Sequence, residues 1–383
     1  MSGHLPAMNK REFLRFCAAG VGYAFLRDMT KASPFPVNAG SREEFDWKWK
    51  KEALFYRKSA RGVKCLKCPN FCDLADGETG KCRNRENHGG TLYSIAYGNP
   101  CAVHVDPIEK KPLFHFLPAT RAFSIAAAGC NLRCLNCQNW QISQFSPRET
   151  RNEELFPDDV VREARQEKCA SIAYTYSEPT SFYEYTLDTA VAARRKGIRN
   201  ILKSNGTINE EPLRRLASVL DAANIDLKTF DAAVYKKLSE GFLSTVLRTL
   251  EVLKSVGVWL EITYLVIPTW TDDFEKIRSM CSWLVAKGLA DCPLHFTRFM
   301  PLYKLNRLPP TPVGSLERAR KIAFEAGVRY VYVGNVPGHE AENTYCHACG
   351  KKIVERRGFT IVSMRIEKGK CAFCSAPIPG VWS

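Results

Sequence analysis

The sequence predicts an α/β protein, a partial or full TIM-type (β/α) barrel with small cysteine-rich metal modules at both ends. From about residue 122, short apolar runs of strand type alternate with stretches of helical period, and this unit recurs six or seven times. The 16 cysteines fall mostly in C-x2-C or C-x3-C steps before, within and after this region. A doubly wound sheet is the alternative, because strand order cannot be read from one sequence.

The barrel elements follow from the change of periodicity along the chain. Strands are predicted where β-branched and aromatic residues form short apolar runs, and helices where apolar residues recur at helical spacing. The predicted strands are residues 123–128, 171–176, 200–204, 223–227, 259–266, 294–299 and 329–333. The predicted helices include residues 157–168, 182–196 and 316–326. Functional residues of a barrel gather where strands end and loops begin.

Composition limits the classes of function. With 45% hydrophobic residues among 383, the chain can bury one large domain and smaller appendages. No run approaches the roughly 18 apolar residues that span a bilayer, which argues against an integral membrane protein. The net charge of +15 favours anionic partners, but the basic residues are dispersed, so we interpret them as a solvated surface. The short cysteine steps indicate metal binding in a reducing compartment rather than disulfides.

We divide the chain into four parts by composition. These are a signal-like or linker N-terminus (1–59), a cysteine-rich module (60–118), the barrel (119–340) and a zinc-ribbon or rubredoxin-like module (341–383). Lys10 and Arg11 precede an apolar run at residues 16–26, which is similar to a twin-arginine export signal with Lys in place of the first Arg. A short amphipathic helix is the alternative. The sequence therefore predicts a cytoplasmic protein, with export as the second possibility.

One loop carries the strongest chemical signal. Cys130, Cys134 and Cys137 form C-x3-C-x2-C directly after the first barrel strand. Three thiolates can hold three irons of a [4Fe–4S] cube and leave the fourth iron open, whereas zinc would want a fourth protein ligand. An open iron can be chelated by the amino and carboxylate groups of S-adenosylmethionine. A zinc knuckle, or a cluster used only for electron transfer, is the alternative.

This loop resembles that of the radical S-adenosylmethionine (radical SAM) superfamily, in particular the branch of pyruvate formate-lyase activating enzymes. Asn136 stands where many members have an aromatic residue. The resemblance implies that one electron from the cluster cleaves S-adenosylmethionine to methionine and a 5′-deoxyadenosyl radical, which abstracts hydrogen from a substrate. It also implies a one-electron donor such as flavodoxin or ferredoxin.

The same resemblance implies further contacts to S-adenosylmethionine at the ends of later strands. These residues are Tyr176, Ser177, Glu178, Ser204, Asn205, Asp226, Lys228 and His295. Glu178 is expected to accept the methionine ammonium in a charge-assisted bond. It could instead cap a helix that begins near residue 180. Asp226 and Lys228 lie on one face of a strand, where they could equally form a structural ion pair.

Two outer groups of cysteines suit metal ions. The upstream group has the spacing C-x2-C-x3-C-x9-C, which fits either zinc or a second iron–sulfur cluster. The downstream group consists of two C-x2-C steps, for which we favour structural zinc, because so small a module buries little apolar surface. The upstream ligands are Cys65, Cys68, Cys72 and Cys82, and the downstream ligands are Cys346, Cys349, Cys371 and Cys374.

Taken together, the motifs resemble the radical SAM component of the AmmeMemoRadiSam system. The likeness rests on the N-terminal cysteines, residues 106–116, 129–144 and 174–180, and the closing segment 378–382. It implies the other proteins of that system as partners, while substrate identity does not transfer. Residues 106–116 are dense in acids and bases, so they could line a substrate pocket or form a solvated loop.

Three hypotheses remain at this point. The first is a radical SAM enzyme that acts on a small molecule or peptide, and the second is an activase that places a glycyl radical on a partner enzyme. The third is a nucleic-acid-binding protein that uses zinc ribbons and basic charge. The third gives no reason for a C-x3-C-x2-C loop at a strand end.

Overall fold

The structure is a computed structural model that describes residues 48–382. The export-like segment and its alternative helix lie outside the described residues. Within the described range, no helix has the length and apolar character needed to cross a membrane.

The N-terminal module (residues 51–94) consists of two small antiparallel sheets. Their strands are β1 (Lys51–Glu52), β2 (Tyr56–Ser59), β3 (Gly62–Cys65), β4 (Asp73–Leu74), β5 (Arg85–His88) and β6 (Thr91–Ser94). One sheet has the order β2-β3-β4 and the other β1-β6-β5. The module therefore begins before residue 60, where the sequence placed its start, because β1 and β2 pair with strands beyond that residue.

The barrel is an eight-stranded sheet whose strands lie in chain order. They are β7 (Ala102–Pro107), β8 (Arg121–Ala126), β9 (Ser171–Tyr174), β10 (Arg199–Ser204), β11 (Ala222–Asp226), β12 (Trp259–Val266), β13 (Leu294–Arg298) and β14 (Val331–Gly334). β7 runs antiparallel to β8, and β8 to β14 are parallel. The edge strands β7 and β14 do not pair with each other in the described structure, so the barrel is partial. The order never reverses, which rules out the doubly wound alternative.

Eight α-helices alternate with these strands in the described part of the chain. They are α1 (Trp140–Ser143), α2 (Pro157–Gln166), α3 (Tyr183–Arg195), α4 (Glu210–Ala217), α5 (Ala232–Ser239), α6 (Leu243–Ser255), α7 (Phe274–Ala286) and α8 (Val313–Glu325). Each predicted barrel strand is present, with ends shifted by at most two residues. Val160, Val161 and Ala164 of α2 are buried in the main core, at the spacing expected for one helix face.

The tail module (residues 344–382) packs beside the last barrel strand. Its strands are β15 (Thr344–Tyr345), β16 (Lys352–Arg357), β17 (Thr360–Met364), β18 (Ile366–Glu367) and β19 (Lys370–Cys371). Ile353 and Val354 form a buried cluster with Phe114 and Tyr332 of the barrel region. A small apolar core, separate from the main core of the barrel, therefore joins the tail module to the barrel.

Residues 106–116, which we call the strap, connect the tail to the barrel interior. The His115 carbonyl oxygen accepts a 2.8 Å hydrogen bond from the Val381 amide, and Leu117 donates to the Val381 carbonyl oxygen at 2.7 Å. Glu109, Lys111 and His115 are buried. The solvated-loop interpretation of the strap is therefore wrong, because its charged residues other than Lys110 are buried against protein groups.

A buried ion pair anchors the N-terminal module to α3. Arg85 and Glu184 are 1% and 2% exposed and form a salt bridge. Leu54 adds two 2.8 Å hydrogen bonds, one from its amide to Glu184 and one from Arg85 to its carbonyl oxygen. The pair thus links two parts of the chain that are far apart in sequence.

We expect Glu184→Gln to lower the free energy of unfolding by about 3–5 kcal/mol, because it leaves the Arg85 guanidinium buried without a counter-charge. Glu154→Gln is the matched control, since Glu154 pairs with Lys48 at the surface and such pairs contribute about 0–1 kcal/mol. Urea denaturation of both variants measures the difference. Equal losses would show that the Arg85 pair does not hold the module in place.

Candidate functional site

The predicted iron ligands lie on one loop at the carboxyl end of β8. This cysteine loop (residues 127–139) runs from the end of β8 to the start of α1. Cys130 and Cys134 are buried beside Leu132, and Cys137 packs against them. The structure thus gathers the three predicted thiols at the strand end where barrel enzymes place their chemistry.

Close contact with the N-terminal module fixes the start of this loop. Gly129 has φ of 96°, and a Cβ atom there would lie 2.4 Å from both the Cys82 carbonyl oxygen and Asn84 Oδ1. Asn84 also donates to the Ala128 carbonyl oxygen at 2.5 Å. Only glycine suits this position, because a side chain would collide with the neighbouring module.

Two asparagines hold the first cysteine in place. Asn131 donates to the Thr207 carbonyl oxygen at 2.7 Å and accepts from Asn205 Nδ2 at 2.9 Å. Asn205 Nδ2 also lies 3.6 Å from Cys130 Sγ, and the Leu132 amide lies 3.4 Å from the same sulfur. Such N–H···S contacts stabilise a thiolate and tune the potential of a bound cluster.

Two thiols of the loop, Cys130 and Cys134, resist ionisation in the absence of a metal. Burial raises the pKa of Cys134 to about 11 and raises the pKa of Cys130 well above its usual value. Metal binding must therefore displace protons from these sulfurs. Three neighbouring cysteines, two of them buried, with amide donors fit three irons of a cluster, since thiolates are the ligands of iron–sulfur centres.

Glu178 joins the ends of two neighbouring strands. It is 1% exposed, and burial raises the pKa of its carboxyl group. Oε1 accepts from the Thr180 amide at 2.9 Å and from Ser204 Oγ at 2.8 Å, and Oε2 accepts from the Asn205 amide at 2.8 Å. A carboxylate has about four acceptor positions, so one position on Oε2 remains for a ligand.

The helix that follows Glu178 begins close to its predicted start at residue 182 and not near residue 180, as the capping alternative required. α3 starts at Tyr183, and its N-cap residue is Phe182, which offers no side-chain cap. Glu178 therefore does not cap this helix. Tyr176 and Ser177 hold the loop before it, since the Tyr176 carbonyl oxygen accepts from Asn139 at 2.7 Å and Ser177 Oγ donates to Ala127 at 2.5 Å.

Inside the barrel, Asp226 bridges two lysines. Its Oδ2 accepts from Lys228 Nζ at 3.1 Å, and its Oδ1 forms a short contact with Lys203 Nζ. Burial acts to raise the pKa of Asp226, but the two ammonium groups outweigh it and lower the pKa to about 2. Asn224 Oδ1 accepts a further 2.6 Å bond from Lys203. The triad carries a net positive charge, which suits an anionic group of a ligand.

A second charged group extends from the strap to the loop after β9. Lys111 Nζ lies 2.5 Å from Asp106 Oδ2 and 4.6 Å from the centre of the Tyr176 ring. Tyr176 donates its hydroxyl hydrogen to the same carboxylate. Burial lowers the pKa of Lys111 to about 8, and Lys111 in turn holds the pKa of Asp106 well below its usual range.

His295 belongs to a different buried network. Its Nε2 lies 2.7 Å from Glu261 Oε2, and its ring stacks on Tyr332. Glu261 also accepts from the amides of Phe114 and His115 at 3.0 and 2.8 Å. These bonds connect the early residues of β12 and β13 with the strap. His295 therefore bonds to Glu261 and stacks on Tyr332 in the barrel interior, away from the strand end that carries the cysteine loop.

The tail cysteines form a closely spaced group. Cys346 Sγ lies 3.6 Å from Cys374 Sγ, and Cys349 Sγ lies 3.9 Å from Cys371 Sγ. All four sulfurs lie within 4.8 Å of one another. A tetrahedral ion with metal–sulfur distances of about 2.3 Å separates its sulfurs by about 3.8 Å. The tail site thus has the dimensions of a single metal ion.

Comparison with known proteins identifies the family of this chain. A family model described as the radical SAM superfamily matches residues 124–281. An uncharacterized protein of Methanocaldococcus jannaschii is 46% identical over 331 residues, which cover 86% of this chain and 98% of that protein. The chain belongs to the radical SAM superfamily. Membership implies a [4Fe–4S] cluster, S-adenosylmethionine and an electron donor.

Two further proteins are similar to part of this chain. The pyruvate formate-lyase 1-activating enzyme of Escherichia coli K12 is 24% identical over 222 residues, 53% of this chain and 89% of that enzyme. The crystal structure of Streptococcus suis SuiB bound to S-adenosylmethionine matches with a TM-score of 0.45 and 14% identity, covering 63% of this chain and 56% of that one.

Sequence reasoning missed several residues that shape the site. Asn131 sits between two motif cysteines, and Asn84 follows Cys82 by two residues. Their position beside the predicted cysteine ligands was the sequence signal that could have identified them. Lys203 faces Asp226 across neighbouring strands, a pairing that becomes visible only when the register of β10 and β11 is known.

Proposed function

We propose that this protein is a radical SAM enzyme that abstracts hydrogen from a small-molecule or peptide substrate. In this proposal, Cys130, Cys134 and Cys137 ligate three irons of a [4Fe–4S] cluster. The observation that carries it is the clustering of these three thiols, two buried and one half-buried, on one loop at the carboxyl end of β8. When bound, the cluster and S-adenosylmethionine supply one-electron cleavage of the sulfonium bond and a 5′-deoxyadenosyl radical.

The chain's own residues would bind and orient S-adenosylmethionine. The free position on Glu178 Oε2 suits the methionine ammonium, and Tyr176 and Ser177 hold the adjoining backbone in place. The net positive triad of Lys203, Asp226 and Lys228 suits the carboxylate. Ser204 and Asn205 position Glu178 and the first thiol, so we assign them a supporting role.

We expect Glu178→Gln to weaken S-adenosylmethionine binding about ten- to hundred-fold, since a hydrogen bond to a charged group contributes about 1.5–3 kcal/mol. The melting temperature should also fall, because the new amide hydrogens face the Thr180 and Asn205 donors that now bond the carboxylate. Anaerobic calorimetry and thermal melting of the same sample measure both. Glu275→Gln, on the exposed first turn of α7, is the control. Unchanged affinity with a lower melting temperature would restrict Glu178 to a structural role.

We further propose that the protein is the radical SAM component of an AmmeMemoRadiSam system. Two of the segments that carry this resemblance, the strap and residues 378–382, contact each other through His115 and Val381. Asp106, Lys111 and Tyr176 then form a charged wall beside the cofactor site, where a polar substrate could bind. A pull-down with the purified partner proteins of that system tests the association.

A glycyl-radical activase is the second candidate, favoured by the likeness to the pyruvate formate-lyase activating enzyme. The two functions differ in where the radical ends. An activase leaves a stable glycyl radical on a partner enzyme, which electron paramagnetic resonance detects. A catalyst for small molecules or peptides consumes the radical and yields a modified product.

We also propose that the tail cysteines bind structural zinc. The support is the spacing of their sulfurs, which matches one tetrahedral ion.

The experiment that tests the enzyme assignment is anaerobic reconstitution with iron and sulfide, followed by incubation with S-adenosylmethionine and dithionite. We expect 5′-deoxyadenosine and methionine in equal amounts. A fully loaded protein that forms neither would contradict the proposed function.

A further inference from the structure

The four N-terminal cysteines, which no comparison assigns to a metal, face one shared cavity. Cys65, Cys68, Cys72 and Cys82 all line it. Cys65, Cys68 and Cys82 are buried, and Cys72 is half-buried. The remaining lining includes two buried basic residues, Lys67 and Arg85. Four thiols around a cavity form a site for a metal centre with complete cysteine ligation.

The spacing of these thiols differs from that of the tail. The sulfur atoms of the four tail cysteines all lie within 4.8 Å of one another, and within the described residues no other group of three or more potential metal ligands is so compact. The N-terminal thiols surround a void instead of converging on a point. Thiolates that bind a single tetrahedral ion have their sulfur atoms about 3.8 Å apart. A [4Fe–4S] cube binds each thiolate through a different iron, so the cysteine sulfurs lie farther apart.

The surroundings of the cavity favour an anionic, sulfur-ligated group. The Lys81 amide lies 3.4 Å from Cys72 Sγ, and Arg85 Nη1 lies 3.7 Å from Cys65 Sγ. Lys67 is 1% exposed, and its ammonium has a 3.4 Å bond to the Ser181 carbonyl oxygen. A buried ammonium needs a negative partner, which four thiolates on a cluster would supply.

This cavity also lies against the loop proposed to hold the first cluster. Asn70, which lines the cavity, donates to the Asn131 carbonyl oxygen at 2.9 Å. The carbonyl oxygen of Cys82 touches the position of Gly129, next to Cys130. Arg133 donates to the Lys81 carbonyl oxygen. The segments that carry the two cysteine sets are therefore in direct contact.

We propose that Cys65, Cys68, Cys72 and Cys82 bind a second [4Fe–4S] cluster directly beside the cysteine loop. Its four thiolates leave no open iron, so this centre carries electrons and does not bind S-adenosylmethionine. The site stands on its own residues and does not depend on which substrate the enzyme uses.

The test is metal analysis of the anaerobically reconstituted full chain and of Cys65→Ser/Cys68→Ser. We expect about eight irons per wild-type chain and about four in the variant, with zinc unchanged. Cys134→Ala should lose iron while keeping the N-terminal centre. A wild-type chain with about four irons and a second zinc that disappears in the double variant would overturn the proposal.

A second measurement on the wild type covers the case in which the double variant fails to fold. Two neighbouring reduced clusters broaden each other's electron paramagnetic resonance signal, and the broadening should vanish in Cys134→Ala. A single unbroadened signal of one spin per fully reduced wild-type chain would also overturn the proposal.

Discussion

Cys134→Ala is expected to abolish reductive cleavage of S-adenosylmethionine and to remove the iron of the cysteine loop. Cys134 is buried beside Cys130, so its loss leaves two thiolates for a centre that needs three. Formation of 5′-deoxyadenosine under dithionite should fall below detection, while the melting temperature of the unloaded protein changes little. Chromatography of the anaerobic reaction and iron analysis measure the two effects.

Cys169→Ala is the matched control for this variant, because Cys169 is buried but lies outside the three cysteine groups. It should keep its iron and its activity. Undiminished 5′-deoxyadenosine from Cys134→Ala would contradict the assignment of the loop.

The second large effect is expected at the tail. Cys346→Ser with Cys349→Ser removes two of four ligands, and structural zinc sites contribute about 10–16 kcal/mol of apparent binding energy to their modules. We expect loss of zinc and unfolding of the tail module while the barrel retains its cluster. Trp382 fluorescence reports this change. The Trp382 ring centre lies 5.1 Å from that of His115 in the folded protein, and the ring should become solvent-exposed when the tail unfolds.

The exposed tail residues Phe359 and Val362 offer a control that leaves the ligands intact. Phe359→Ser, on the exposed turn between β16 and β17, should preserve zinc and Trp382 fluorescence. If the double cysteine variant keeps its zinc and loses iron instead, the tail site holds iron and our zinc proposal is wrong.

The elements of the barrel could be predicted because local patterns determine them. β12 occurs at the predicted residues, since a run rich in β-branched and aromatic residues between Gly257 and Pro268 favours a strand. β8 ends two residues earlier than predicted, because residues 127–128 leave the sheet to begin the cysteine loop. The early start of the N-terminal module was missed because β1 and β2 are short, exposed strands with weak patterns.

Contacts between distant segments could not be predicted. Glu178 was expected to face a ligand or a helix end, and its bonds to Ser204 and Asn205 depend on the neighbouring positions of β9 and β10. The strap was interpreted as a possible solvated loop because its sequence does not reveal its bonding partners. His115 bonds to Glu261 and Tyr332, which lie far along the chain. Residue types identify chemistry, whereas sheet order decides which groups meet.

The central claim is that S-adenosylmethionine binds the open iron of a cluster held by the cysteine loop. Electron–nuclear double resonance on the reduced, reconstituted protein tests it, with S-adenosylmethionine labelled by ¹⁷O in the carboxylate or ¹⁵N in the amino group. We predict hyperfine coupling from both labels to the cluster, retained in Cys65→Ser/Cys68→Ser. Absence of coupling in a protein with full iron content would contradict the account.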